Sequence, residues 1–511
     1  MCEIAKKKHS MNWKKKRFDI SLDKNIRQSC FTSVLEKYLS INDVYDIILL
    51  KRFDKIREEK IMKKGKIISF ILTVGLLTTL IVTPMASASG AGNQNAFRAE
   101  LKAIANKTYK YFQDNTDPDT GMTYDEVRVT EDGIKEGKRT SPTNIGMYMM
   151  STVSAQQLGI ISKTEAVKRI QTTLNTLEKL EKWNGLFYNW YNTDDGSIKK
   201  DWGQFISQVD NGWLSAGLIV VGQAYEELHG QTSKLVENMI YTPLYDQEVG
   251  QFRGGYDVAT GKLTDHHYGM FYTEPRVASY IAIGKGDVPK DHWWKLYRTL
   301  PKEWDWQAQI PQGQNEQYDG VSVFEGSYEY NGVKFVPSWG GSMFEGLMPG
   351  IVLKEKELGS KALGLNNKRH VELQIAYAKE KGYPAWGFSP AATPTGYSEF
   401  AATPLGTSGY KDGATITAHA TFLALEYAPE AARKNIKALK DFDMYGKYGF
   451  YDSVNVETGE LAKAYLALDQ GMIMVSIANY VKDGVIRDYF HSDPIGQKPE
   501  ELLEKEVFSI Q

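Results

Sequence analysis

The chain has 511 residues, a net charge of −2 and a pI near 6.5. That balance argues against a polyanionic partner such as nucleic acid held by bulk positive charge. The length suits one large domain or two ordinary ones, and 30 tyrosines with 11 tryptophans supply flat surface for a core or for the apolar faces of sugar rings.

Residues 1–61 are basic and lack a periodic core pattern. Met62-Lys-Lys-Gly-Lys66 is a basic segment, 67–82 is an apolar run of signal-peptide length, and Ala86-Ser87-Ala88 has the small-residue pattern of a cleavage site. The expectation is a signal peptide at 62–88, cut after Ala88, with 1–61 an upstream extension absent from the mature protein. A single membrane anchor is the competing reading, but the run is short and ends at Thr83-Pro84. The two cysteines, Cys2 and Cys30, both precede the cut, so the mature chain forms no disulfide and is held by its core.

Residues 89–96 read as a linker and 97–495 as one domain. Phe97–Phe112 has apolar residues at helical spacing. Asp117-Pro-Asp-Thr-Gly121 is a turn, and Ser141-Pro-Thr-Asn144 starts a helix reaching Leu158. Helices are predicted at Lys163–Lys182, Trp213–Leu228 after Asp210-Asn-Gly212, and Ser233–Met239. Further helices are predicted from Glu274-Pro275 to Ile283 and at Pro289–Tyr297. Short strands are predicted between Leu244 and Leu263, and irregular chain over Trp304–Val336 with β character at Val321–Tyr330. Helices follow at Met343–Leu358, Asn366–Lys381, Ile416–Tyr427, Pro429–Asp441, Lys463–Asp483 and Glu500–Phe508, and 496–511 forms a C-terminal helix and tail. Some twelve or thirteen helices with no βαβ rhythm exclude a doubly wound sheet and fit a closed ring of helix hairpins.

Gly255 to Lys262 fails as a phosphate loop: five residues separate its glycines and Leu263 stands where Ser or Thr must hold magnesium. G-x-S-x-G and H-E-x-x-H are both missing. His266-His267 has no third ligand at suitable spacing, so no metal and no cofactor are expected. What remains is carboxylates among aromatics, the equipment of glycosidic bond cleavage. Glu274 stands at a helix start beside Phe271 and Tyr272. There the helix dipole and Arg276 lower its pKa, so a general acid at this place needs apolar enclosure or a second carboxylate to raise it. Asp452 follows two glycines and three aromatics. Glu325 and Glu345 are further plausible acids. Asp210 and Asp469 read first as capping or structural groups.

Ser338-Trp-Gly-Gly-Ser-Met-Phe-Glu-Gly-Leu-Met-Pro349 resembles the glycoamylase-like domain of the cyclic β-1,2-glucan synthases. So do Thr273-Glu-Pro-Arg-Val-Ala-Ser-Tyr and the residues after it to Pro289, Tyr448-Gly-Phe-Tyr-Asp452, Asp469-Gln-Gly-Met472 and Ser141-Pro-Thr-Asn-Ile-Gly146. The domain is also similar to glycoside hydrolase family 144, the endo-β-1,2-glucanases. The resemblance covers about 97–495 and implies an all-α (α/α)6 toroid with long aromatic loops and a few short strands. It also implies Glu274 as general acid and Asp452 as general base. The synthases, which are retaining transglycosylases, carry Glu where this chain has Asp452, and the shorter side chain leaves room for water. Trp386-Gly-Phe-Ser-Pro390 departs from them at Pro390.

The expectation is therefore a secreted glycoside hydrolase, extracellular or in the cell envelope, acting by inversion on an oligo- or polysaccharide, β-1,2-glucan first. After signal cleavage it has no stable membrane association. Inversion asks for the two carboxyls to lie roughly 6.5–9.5 Å apart. Trp183, Trp190, Trp202, Trp339, Trp386 and Tyr451 are candidates for stacking on sugars. Arg276, Asp210 and His419 are candidates for bonding hydroxyls, with Glu325 and Glu345 beside them. A retaining transglycosylase and a non-catalytic glycan-binding protein are the rival readings.

Overall fold

A computed structural model of the chain describes residues 93–511, with 202 and 203 excepted. The expectations for the extension, for the signal segment and for Trp202 lie outside the described residues. Helix α1 spans 93–114, so residues 93–96, expected to be linker, form its exposed first turn. Along the chain follow α2 (Pro142–Gln157), α3 (Lys163–Lys179), α4 (Gln208–Ala224), α5 (Glu226–Asn238), α6 (Arg276–Lys285), α7 (Asp291–Lys295) and α8 (Met343–Leu347). Then come α9 (Glu355–Leu358), α10 (Leu363–Glu380), α11 (Ala418–Leu423), α12 (Pro429–Asp441), α13 (Ala467–Val481), α14 (Val485–Ser492), α15 (Pro494–Gln497) and α16 (Glu500–Lys505). Short antiparallel sheets of two or three strands sit between them. Among the described residues no helix is long and apolar enough to cross a membrane.

Two kinds of helix differ by their sequence. α2, α4 and α13 are apolar around most of their circumference and buried along nearly their whole length. α3 and α12 are amphipathic: α12 buries only Ala432, Asn435, Ile436 and Leu439, a single stripe. The apolar helices pack on one another in a cyclic order. α13 packs on α2, α2 on α4, α4 on α6, α8 on α11, and α11 on α13. The link from α6 to α8 is Arg276, whose guanidinium donates to the carbonyls of Glu345 and Gly346. The stripe-bearing helices back them: α3 on α2, α5 on α4, α10 on α8, α12 on α11.

Glycine permits these crossings. A Cβ on Gly146 of α2 would stand 2.4 Å from the Trp213 carbonyl oxygen of α4, and one on Gly212 would stand 2.3 Å from the Ala278 Cβ of α6. The helix starts are capped by serines. Ser141 accepts from the Asn144 N–H and Ser207 from that of Asp210, while Ser342 and Glu345 form a reciprocal capping box at α8.

Several boundaries differ from expectation, each for a local reason. The helix expected over Met343–Leu358 breaks into α8, a 3₁₀ turn at Met348–Ile351 and α9, because Pro349 lacks the N–H that would continue it. The helix expected at Trp213–Leu228 begins earlier, at the Ser207 cap, and stops at extended Tyr225. Ile416 and Thr417, with Ala464–Leu466, expected to be helical, lie in strands, Thr415–Thr417 pairing with Ser453–Asn455 and Ala464–Leu466 with Glu126–Thr130. Gln312–Tyr318, expected to be irregular, pairs with Val321–Tyr330 in a hairpin. Its turn is Asp319-Gly320, both at positive φ, and Asn331-Gly332 makes the same turn into Val333–Phe335. The C-terminal residues belong to the domain rather than to a separate tail. Glu506 forms a buried ion pair with Arg298, and Phe508 packs edge-on against Phe271.

Gly146→Ala is expected to lower the unfolding free energy by about 1–3 kcal/mol, because the added methyl meets backbone rather than a movable side chain. A urea titration followed by tryptophan fluorescence measures it. An unchanged midpoint would show that the close crossing does not limit stability.

Candidate functional site

The starts of five interior helices converge. One cavity of about 560 Å³ is lined by Ser141, Thr143 and Asn144 of α2, Ser207 and Asp210 of α4, Glu274 before α6, Phe344 of α8 and Leu466 and Leu468 at α13. Asp125, Arg128, Arg139, Trp190, Tyr268 and Tyr397 complete its wall. A second cavity of about 520 Å³ is lined by Tyr268, Glu274, Trp304, Trp306, Trp339, Glu345 and Tyr410. Glu274 and Tyr268 belong to both linings, so the two cavities meet at these residues. Trp304 stacks on Trp306 at 5.6 Å and Trp306 meets Trp339 at 5.8 Å, giving the second cavity a continuous aromatic side.

Glu274 is pushed up to about 8. Burial is the main cause and the Glu345 carboxylate the next, with Asp210 adding to them, against the lowering effect of its backbone hydrogen bond and Arg276. Arg276 is weak here because its own charge is matched: Nε donates to Glu355 at 2.7 Å, and both groups are fully buried. Glu345 is also raised by burial. It is nevertheless the better-solvated acid of the two, since Ser338 Oγ, the Gly340 N–H and both Ser342 donors bond to it. Across the first cavity Asp210 accepts from Thr143 Oγ1 at 2.6 Å, and burial raises it. Asp125 pairs with Arg139 at 2.8 Å and is likewise raised by burial.

Asp452 lines neither cavity. It is buried in the loop before Ser453–Asn455, with Oδ2 accepting from the Ala392 N–H at 2.5 Å. His419 at the start of α11 and Asp469 at the start of α13 stand beside it, and donor atoms of the three lie within 4.8 Å of one another. Among the described residues this is the group whose donors could converge on a cation; a proton between the two acids suits them as well. Burial raises both acids and lowers His419 to about 3. Tyr397, on the wall of the first cavity, feels the charges of Asp469 and Asp452.

The other sequence-predicted residues divide. Trp190, Asp210, Trp339 and Glu345 line the cavities with Glu274. Arg276, expected to bond a sugar, has all five guanidinium donors engaged inside the protein. Glu325 faces Arg298 and Glu506 in the interior and lines neither cavity; burial pushes it up to about 8. Trp386 is a core residue whose N–H donates to Asn435. Trp183 stacks on Tyr256 at 4.2 Å and Tyr451 leans on Tyr465 at 4.9 Å, both away from the two linings. Sequence reasoning missed Trp304 and Trp306, although two tryptophans two residues apart in an irregular stretch were a visible signal. For Asp125, Tyr268, Tyr397 and Tyr410 no local pattern marks them.

Residues 266–494 match the Glycoamylase family model, and residues 103–265 match a family of proteins of unknown function, DUF3131. The chain is 25% identical to the cyclic β-(1,2)-glucan synthase NdvB of Rhizobium meliloti, over 80% of this chain and 18% of that one. It is 22% identical to an exo β-1,2-glucooligosaccharide sophorohydrolase of Parabacteroides distasonis, over 78% of this chain and 57% of that one. It thus spans less than a fifth of the synthase and little more than half of the sophorohydrolase. Its fold is that of the endo-β-1,2-glucanase from Chitinophaga pinensis, with a TM-score of 0.63 and 19% identity over 80% of this chain and 98% of that one. The endo-β-1,2-glucanase from Talaromyces funiculosus superposes with a TM-score of 0.66 and 12% identity over 81% of this chain and 90% of that one.

A raised Glu274 has a consequence for stability. Unfolded, the group ionises near 4.5; folded, it keeps its proton to about 8, so ionisation favours the unfolded chain increasingly between those values. Glu274→Gln is expected to match the wild type at pH 4 and to exceed it by more than about 1 kcal/mol at pH 8. Chemical denaturation at the two pH values checks this; equal differences at both would place Glu274 in its ordinary range.

Proposed function

We propose, from the Glycoamylase match over residues 266–494, that this protein is a glycoside hydrolase acting on a β-glucan, with β-1,2-glucan the first substrate to test. The observation that carries the reading is Glu274, an acid that keeps its proton at neutral pH where an acid-lined and a tryptophan-lined cavity meet. Such a group can protonate a departing glycosidic oxygen. The β-1,2 linkage is supported by the relatives, whose names carry that linkage. The cyclic packing of α2, α4, α6, α8, α11 and α13, most with an amphipathic helix behind, supports an (α/α)6 toroid.

Asp452 serves as the base that takes the proton from water, and the reaction inverts the anomeric centre. The resemblance over Tyr448–Asp452 supports this role, and its short side chain leaves space for the water. A second reading gives the base role to Asp210, favoured by its lining the same cavity as Glu274. Trp190, Trp339, Trp304 and Trp306 offer the faces on which sugar rings stack. The signal-like sequence at 62–88 supports a location outside the cell membrane, where a polysaccharide substrate is met.

On linear β-1,2-glucan, Glu274→Gln and Asp452→Asn are each expected to lower kcat about 10³-fold while the fold is kept. An active Asp452→Asn beside an inactive Asp210→Asn would move the base to Asp210. Proton NMR of the first product should show the inverted anomer; a retained anomer would make the protein a transglycosylase like the synthases. A wild type that releases no reducing sugar, with glucan binding kept in both variants, would leave only glycan binding. The wild-type kcat/KM should fall as pH rises through about 8, where Glu274 gives up its proton.

A further inference from the structure

Asp452, Asp469 and His419 are buried together at the ends of three elements, the loop before Ser453–Asn455 and the starts of α13 and α11. Each carries one polar atom without a hydrogen-bond partner among the described residues: Asp452 Oδ1, Asp469 Oδ2 and His419 Nδ1. A buried polar atom left unmatched is costly, and three in one place call for a common explanation. The remaining atoms are accounted for. Asp452 Oδ2 accepts from the Ala392 N–H, and His419 Nε2 lies 3.5 Å from Thr417 Oγ1. His419 Nδ1 lies 3.3 Å from Asp469 Oδ1.

One proton resolves the two oxygens. With a proton on Asp469 Oδ2, that oxygen donates to Asp452 Oδ1, and both unmatched oxygens are satisfied. With the His419 proton on Nδ1, that nitrogen stands 3.3 Å from Asp469 Oδ1, while Thr417 Oγ1 gives its own proton to the Gly387 carbonyl. The charges nearby agree. Asp452 is influenced by Arg128 and Glu126, Asp469 by Asp125, and the charges of both acids act on Tyr397 of the cavity wall. With His419 neutral, two adjacent carboxylates would be held apart from water, with Arg128 acting on Asp452 alone of the pair among the leading influences.

We propose that Asp469 is a positioning residue for the base: as a neutral acid, steered by His419, it donates its proton to Asp452 Oδ1 and holds that carboxylate ionised and in place. The inference rests on the reading of Asp452 as base and adds to it the residue that keeps the base ready. The step itself stays balanced, since Asp469 keeps its own proton throughout and the water proton ends on Asp452.

Two measurements test it. In protein labelled with ¹³C-aspartate, isotope-edited infrared spectroscopy at neutral pH should show a protonated aspartate carbonyl band that Asp469→Asn removes. In kinetics on β-1,2-glucan, Asp469→Asn, which keeps a donor to Asp452 and an acceptor for His419, should stay within about threefold of wild type. Asp469→Ala, which loses a hydrogen bond to a charged group, should lose about tenfold or more. Its acid limb of kcat/KM should also move up by about one pH unit, since the ionised form of Asp452 has lost a donor. An acid limb that moves down in both variants would mean that Asp469 is ionised and repels Asp452, and would overturn the proposal. So would a stoichiometric divalent cation that survives purification and is lost in Asp469→Asn. If Asp452→Asn keeps turnover, the base assignment fails, and the infrared band still decides whether the proton is shared.

Discussion

The close crossing of the interior helices is the constraint on which the site depends. Gly146 and Gly212 let α2, α4 and α6 approach until backbone meets backbone. That approach gathers the helix starts, and the helix starts carry the acids. Asp210 lies three residues beyond a serine cap, Glu345 is the third residue of α8, Glu274 lies two residues ahead of α6, and Asp469 is the third residue of α13. Widening one crossing by the size of a methyl group would shift these groups relative to one another on the scale at which proton transfer is decided.

Burying so many carboxylates is costly, and the protein offsets the cost in three ways. Glu355 and Glu506 are matched by arginines. Glu345 is matched by hydroxyl and backbone donors at its helix start. Glu274 has no comparable set of donors and keeps its proton instead. The contrast between Glu345 and Glu274 is a division of labour between neighbours: the well-bonded acid stays anionic more readily, and its charge helps keep the other neutral. The tension expected at Glu274 from the helix start and Arg276 is resolved in this way, since Arg276 is already engaged with Glu355 and the carbonyls of α8.

Much of the fold was legible in the residues. The apolar periodicity of α1, α3 and α12, the serine caps of α2 and α8, and the exclusion of a doubly wound sheet all follow from local patterns. The Asp319-Gly320 and Asn331-Gly332 turns were legible too, and passing over them hid the hairpin of Gln312–Tyr318. Its polar sequence has little strand character of its own; the hydrogen bonds of the partner strand hold it extended.

Of the site, the residues alone marked the acids that stand among aromatics, Glu274 and Glu345 at helix starts and Asp452 after a glycine turn. Position relative to a cap and to a glycine turn is a local property. Which charges neighbour which acid is not. Only the tertiary structure decided that Arg276 points into the core, that Glu325 faces Arg298 away from both cavities, and that Trp386 is packed inside. Only it set Asp469, at the start of α13, against Asp452 in the loop before Ser453–Asn455. The physical reason is that burial and charge act through space over a few ångströms, and the chain reaches those distances only by folding.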